Sequence, residues 1–112
     1  MAFSDEQIQE LKAFGSVTSG SEGGITYFRV AGLGLPEPCS PSTIDALLCP
    51  QERDGYNFRL YFASSVTGPI QHNWNGQNVR ILEENWFAFS LKVPAGLRLA
   101  QMVSLVLKAL VK

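Results

Sequence analysis

The sequence is poor in the residues that most often reveal a protein's chemistry. Its 112 residues contain one histidine, two cysteines and only 17% charged residues. It has no Cys-x-x-Cys pair, histidine cluster or EF-hand spacing, so we predict neither a metal site nor a cofactor. Nine basic residues are offset by ten acidic ones and are scattered along the chain. Because a nucleic-acid binder needs a basic patch, we predict no nucleic-acid partner.

Long apolar runs are also missing from the chain. No window reaches the roughly 18 to 20 apolar residues of a membrane span. The first residues, Met1–Glu6, lack the basic region and apolar run of a secretory signal. We therefore predict a cytoplasmic protein with no membrane partner, in which Cys39 and Cys49 are reduced thiols. The length suits a single domain, residues 1–112, with a core of its own.

Residue types that are scarce elsewhere are concentrated between His72 and Trp86. This stretch holds the only histidine, both tryptophans and four asparagines. Short polar side chains such as asparagine favour turns and local hydrogen bonds to the backbone. We therefore predict a structured loop that its two indoles fasten to the rest of the protein, either as a plug over the core or as a site.

Two segments have the pattern of helices. The first, residues 4–13, begins with Ser4 as N-cap, has acidic residues in its first turn and places Gln7 at the capping-box position. The second, residues 97–112, has a polar residue at every third or fourth position and is apolar between them. Its wide apolar arc predicts a helix that lies between a sheet and the first helix, or that faces a partner.

Three segments predict strands: the first is rich in β-branched and aromatic residues, the second ends at Pro50, and the third alternates between two faces, as does a fourth segment. The three strands are Ile25–Val30, Thr43–Cys49 and Tyr56–Ala63, and the fourth is Trp86–Val93. Residues 16–24, rich in serine and glycine, are predicted to be a loop with a brief extended piece near Val17, and the proline-rich residues 33–42 to be irregular.

The connections between the first three strands are too short for crossover helices, which implies antiparallel pairing. The predicted fold class is therefore α+β: an N-terminal helix, an antiparallel meander of three to four strands, a structured loop and a C-terminal helix.

Several short segments, taken in chain order, resemble the ubiquitin-conjugating enzyme (UBC-like) fold. Tyr56-Asn57-Phe58 is similar to that family's Tyr-Pro-Phe element, and His72-Asn73 to its His-Pro-Asn tripeptide. Trp86 is similar to the tryptophan that follows the catalytic cysteine, and residues 94–110 to the helix after it. The resemblance spans roughly residues 25–110 and implies the α+β architecture described above.

The resemblance also implies a loss of activity. The family's catalytic cysteine lies eight residues before this tryptophan, and here that position is Asn78. An amide side chain cannot hold a carboxyl group as a thioester. The resemblance therefore implies a non-catalytic interaction module that binds a protein partner, a ubiquitin-like protein or its activating enzyme, and it admits a bacterial member of such a pathway. The expected binding residues are His72, Trp74, Asn75 and Asn78.

Two other hypotheses stay open. One is a small thiol-dependent transferase or hydrolase, in which Cys39 or Cys49 is the nucleophile and His72 the base. The catalytic candidates are His72, Asn73, Asn78 and Cys49, and an asparagine amide is suited to an oxyanion-type donor. The other hypothesis is an α+β domain with a structural or oligomeric role.

Each of these residues also has a plain structural explanation. A lone histidine in an asparagine-rich loop is more often a hydrogen-bonded anchor than a base. Cys49, at a strand end, is expected to be a small buried hydrophobe, whereas Cys39, in a proline-rich loop, is expected to be exposed. Trp86 is expected in the core, and Trp74 is as well suited to a partner as to the core.

Overall fold

A computed structural model describes residues 3–112, so the expected domain of residues 1–112 includes two residues that lie outside the described part. Residues 3–112 form an antiparallel six-stranded sheet and two α-helices, which confirms the α+β class. The elements in chain order are helix α1 (Asp5–Leu11), a short 3₁₀ helix (Lys12–Phe14), strands β1 (Ser16–Glu22), β2 (Ile25–Gly34), β3 (Thr43–Cys49), β4 (Arg59–Phe62), β5 (Gly76–Ile81) and β6 (Glu84–Ala88), and helix α2 (Leu99–Ala109).

The first four strands pair in consecutive order, and the last two form a hairpin that joins the sheet through β6. The order across the sheet is β1-β2-β3-β4-β6-β5. The link between β4 and β6 is narrow, with Phe62 opposite Phe87 as its one paired position. The predicted three to four strands are therefore too few, although the antiparallel meander is present in β1 to β4.

The central strands are buried on both faces, because side chains alternate along a strand. One face packs against the helices, and its core includes Phe28, Leu48, Leu60, Phe62, Phe89, Leu99, Val103 and Val106. The other face is covered by the β5–β6 hairpin, and its core consists of Tyr27, Leu47, Cys49, Tyr61, Ile81, Trp86 and Ala88. The alternation predicted for residues 56–63 is present, but the regular strand is limited to Arg59–Phe62.

The prediction of a loop at residues 16–24 is wrong over most of its length, because Ser16–Glu22 is strand β1. β1 lies at the edge of the sheet, so its serines and threonine can remain exposed while its backbone pairs with β2. A β-carbon at Gly20 would lie 3.1 Å from the side chain of Leu82, at the tip of the β5–β6 hairpin. This glycine therefore leaves room for a close approach between two distant segments.

The prediction of a loop between His72 and Trp86 is also wrong from Gly76 onward. The chain forms β5 and β6, joined by a turn in which Leu82 and Glu83 have positive φ angles of 51° and 68°. Two successive positive φ angles are typical of the turns that match the twist of a tight hairpin. Trp86 is buried, as predicted, and its Nε1 donates a hydrogen bond to the carbonyl of Ile81 at 3.1 Å.

The two helices pack on each other at one side of the sheet. Ser4 caps α1, since its hydroxyl accepts a hydrogen bond from the backbone N–H of Gln7 at 3.2 Å. The Gln7 side chain instead accepts from the backbone N–H of Leu99 at 3.1 Å, so it caps the start of α2. Arg98 forms ion pairs with Glu6 and Glu10, both at 2.9 Å. Within residues 3–112, neither helix has the length and apolarity to cross a membrane.

Candidate functional site

His72 and Trp74 rest on the core at the end of α2. The Nε2 of His72 donates to the carbonyl of Ala109 at 2.8 Å, and its ring centroid lies 4.3 Å from that of Phe89. The ring of Trp74 meets Phe89 edge-on at 5.2 Å and Phe62 at 5.9 Å. His72 therefore acts as a hydrogen-bonded anchor of this loop, and both aromatic residues keep part of their surface exposed.

Asn73 and Asn75 contribute to this region through different groups. The backbone carbonyl of Asn73 accepts hydrogen bonds from the N–H groups of Asn75 at 2.9 Å and Ser90 at 2.7 Å. The side chain of Asn75 is held by Tyr56 and Arg59. Asn73 thus shapes the turn through its backbone, whereas Asn75 offers a side chain to a polar cluster.

Asn78 is exposed in strand β5. It has a φ of 53° and sits where a bulge shifts the register between β5 and β6. A left-handed φ is tolerated by asparagine better than by most residues, which explains the residue type at this position. Among the described residues, no hydrogen bond or aromatic contact joins Asn78 to His72. His72 and Trp74 thus share Phe89 as a neighbour, a contact in which Asn78 takes no part.

Two open depressions flank this region of the surface. The first has a volume of about 390 Å³ and is lined by residues 65–72 and Trp74. The second has a volume of about 310 Å³ and is lined by Gly55, Tyr56, Asn57, Ser90, Leu91, Lys92 and Val93. Both lie beside segments that the sequence singled out, the His72 loop and the Tyr56-Asn57-Phe58 element.

Both cysteines are free and buried. Cys39 is 8% exposed, so the prediction that it is exposed is wrong; it packs beside Gly68, whose β-carbon would lie 3.1 Å from its sulfur. Cys49 is buried as predicted, and its thiol donates to the carbonyl of Gln51 at 3.3 Å. Burial raises the pKa of both thiols, which disfavours the nucleophilic thiolate.

The two thiols lie in different cores: Cys39 belongs to the helix-side core that also contains Phe89, and Cys49 belongs to the other core. Cys49 lies in the core beneath the β5–β6 hairpin, whereas the Phe89 ring that carries His72 belongs to the core on the helix side. Within residues 3–112, no hydrogen bond joins either sulfur to His72. The arrangement that the thiol-dependent hypothesis requires is therefore not formed in this conformation.

The polar cluster around Arg59 was not expected from the sequence. The Arg59 guanidinium donates to Oδ1 of Asn75, while Nδ2 of Asn75 donates to the hydroxyl of Tyr56 at 2.9 Å. The Tyr56 hydroxyl in turn donates to Ser90 at 3.3 Å. The hydrogen bonds with Ser90 and Asn75, together with the nearby charge of Arg59, lower the pKa of Tyr56. The sequence feature that could have revealed this cluster is Arg59 itself, a charged residue between Phe58 and Leu60 in a segment predicted to be a strand.

Neither metal ligation nor a known relative identifies the site. In the part of the chain that the structure describes, no three histidine, cysteine, aspartate or glutamate side chains lie close enough together to hold a metal ion. Comparisons with protein-family models, curated proteins and solved structures found no match to this chain. The function must therefore be inferred from the fold and from the geometry of these residues.

Proposed function

We propose that this chain is a non-catalytic interaction module of the UBC-like type, which binds a ubiquitin-like protein or the enzyme that activates it, in a bacterial ubiquitin-like pathway. The proposal is supported by the order of elements, in which a helix precedes four consecutively paired antiparallel strands and a second helix follows. The two helices contact each other on the same face of the sheet. The β5–β6 hairpin is an addition to that arrangement.

The observation that carries the non-catalytic part is the contrast between Asn78 and the two thiols. Asn78, at the position where the resemblance implies the nucleophile, is exposed but has an amide side chain. Cys39 and Cys49 have the right chemistry but are buried with raised pKa values. Thioester formation needs an accessible thiolate. The surface is therefore suited to binding a partner without becoming acylated by it.

The binding surface that we propose is the depression beside the His72 loop. Trp74 forms one wall and Ile70 lies in the same lining, and both are partly exposed. A half-buried tryptophan on a rigid support is typical of the residues that dominate binding energy at interfaces. Its support here is the pair Phe62 and Phe89, which fix the orientation of the indole.

The proposal is tested by titrating the ¹⁵N-labelled chain with ubiquitin-like proteins and activating enzymes from the same organism. We expect resonance shifts at residues 65–74, and Trp74→Ala and Ile70→Ala should each weaken binding, the tryptophan by about 2 kcal/mol. Gln9→Ala, on the exposed side of α1, is the matched control and should have no effect. The absence of binding to every such protein, or unchanged affinity in both variants, would refute the proposal.

A further inference from the structure

Arg59 is a buried cation without an acidic partner. Its side chain is in β4, the residue is only 8% exposed, and its buried Nε has no hydrogen-bond partner in residues 3–112. Each of the described ion pairs belongs to another arginine, and those residues are Arg29, Arg53 and Arg98. Burial of an unpaired charge costs several kcal/mol, so the fold retains Arg59 against a considerable penalty.

The groups around Arg59 compensate only part of this penalty. The guanidinium lies 4.2 Å from the ring centroid of Tyr56 and 5.6 Å from that of Tyr61, both within the range of cation–π attraction. Asn75 accepts one of its hydrogen bonds. These partners are neutral, so the positive charge itself has no counter-charge in contact with it. A negatively charged group would complete the cluster.

The site has an approach from the surface through Tyr56. This residue covers the guanidinium with one part of its ring and also lines the open groove formed with Asn57, Ser90, Leu91, Lys92 and Val93. The lining contains no acidic residue, and Lys92 adds a second positive charge to it. Rotation of the half-exposed Tyr56 side chain is the motion that would connect the groove with Arg59.

We propose that Arg59, with Tyr56 and Asn75, binds a carboxylate carried by a peptide chain that lies in this groove. A planar guanidinium matches a carboxylate with two parallel hydrogen bonds. The carboxylate would replace Asn75 as acceptor, while the Asn75 amide and the Tyr56 hydroxyl donate to it. Leu91 and Val93 supply an apolar wall for the residue that carries the carboxylate.

This inference rests on the proposed function, since it names the group through which the protein partner is held, but its test does not need that partner. The full-length ¹⁵N-labelled chain is titrated with the dipeptide acetyl-Leu-Gly as the free acid and as the C-terminal amide. We expect the acid to shift the resonances of Tyr56, Asn75 and Ser90 and the Nε–H of Arg59. The amide should bind at least about tenfold more weakly, because it leaves the charge of Arg59 unpaired.

Two variants and one control make the assignment specific. Arg59→Met should abolish the response to the acid, and Arg59→Lys should lose most of it because the fork of donors is lost. Arg80→Met removes the same charge from an exposed position on β5 and should leave binding unchanged. Binding of the acid and the amide with equal affinity, or an equal loss in Arg80→Met, would overturn the carboxylate site. If Arg59→Met fails to fold, Arg59→Lys and the acid–amide pair still decide the question.

A third peptide identifies the source of the carboxylate. Acetyl-Leu-Asp amide carries its carboxylate on a side chain, and either this peptide or the free acid will bind more tightly. Either result supports the site and assigns it to a side-chain or a terminal carboxylate. Failure of all three peptides, while a ubiquitin-like protein still binds at the Trp74 surface, would refute this inference and leave the proposed function intact.

Discussion

Replacement of Arg59 by methionine separates a functional role of this residue from a structural one. If Arg59 is kept for a ligand, the unliganded protein bears an uncompensated cost that methionine removes. If Arg59 is instead an anchor of the fold, its loss must weaken the structure. The free energy of unfolding of Arg59→Met therefore has opposite expected directions under the two hypotheses.

The magnitude follows from the contacts of the guanidinium. Desolvation of a buried charge costs several kcal/mol. Against it stand the hydrogen bond to Asn75, worth about 1.5 to 3 kcal/mol for a charged donor, and the attraction of Tyr56 at 4.2 Å, worth up to about 2 kcal/mol. These contacts offset part of the desolvation cost and leave the rest uncompensated, and methionine retains an apolar chain of similar length. We expect the free energy of unfolding to change by less than about 1 kcal/mol or to rise.

The assay is urea unfolding followed by tryptophan fluorescence, with the slope of the transition checked so that a shifted midpoint reports stability. Arg29→Met is the matched comparison, because Arg29 contacts Asp45 at 3.2 Å and Glu84 at 3.1 Å and is partly exposed. Its loss should cost about 1 kcal/mol or less, as for other exposed ion pairs. A decrease of about 3 kcal/mol or more in Arg59→Met would show that Arg59 holds the fold together and would refute the reasoning.

Four further results are expected. Trp86→Ala should lower the free energy of unfolding by about 3 to 5 kcal/mol in the same urea assay, because it leaves a cavity in the core beneath the hairpin. A loss below about 1 kcal/mol would contradict the packing of Trp86. Cys39 and Cys49 should react with a thiol reagent no faster than the protein opens, whereas Asn78→Cys should add one rapidly labelled thiol. Cys39→Ser and Cys49→Ser should each leave partner binding unchanged, and a loss with either would favour the thiol-dependent hypothesis. In an alkaline absorbance titration Tyr56 should ionise before Tyr27 and Tyr61, and Tyr56→Phe should remove that first step; simultaneous ionisation of all three would contradict this order. Because burial raises the pKa of Tyr27 and Tyr61 in the folded protein, the free energy of unfolding should fall as the pH rises past the ordinary tyrosine pKa.

The sequence predicted helices and strands well where burial of one face produces a regular spacing of apolar and polar residues. Helix α2 was predicted from polar residues at every third or fourth position, and β4 from the alternation of residues 56–63. The capping hydroxyl of Ser4 was also predicted, because that interaction is local. The second half of the capping box was not formed, since Gln7 found a partner in the sequence-distant Leu99.

The misassigned elements are those whose pairing is decided at long range. β1 is polar because it lies at an edge, so its composition is that of a loop. The β5–β6 hairpin has Leu82 and Glu83 at its turn instead of the usual asparagine and glycine, which removed the strongest local signal. At the site, the predicted loop was correct for residues 72–75, but the partnership of Asn75 with Arg59 depends on a strand some sixteen residues earlier. No periodicity in the sequence reports such a contact.

The docking of the β5–β6 hairpin has a consequence for the folding rate. The backbone N–H of Leu82 donates to the Glu22 carboxylate at 3.0 Å, a contact that spans 60 residues of chain. Arg29 and Glu84 meet across 55 residues, and Arg98 reaches Glu6 across 92. Domains dominated by such long-range contacts fold slowly, because chain entropy is lost before the contacts form. The face that carries Tyr27 and Leu47 is covered only when this closure is complete, so the change in Trp86 fluorescence on burial would report the rate of that closure.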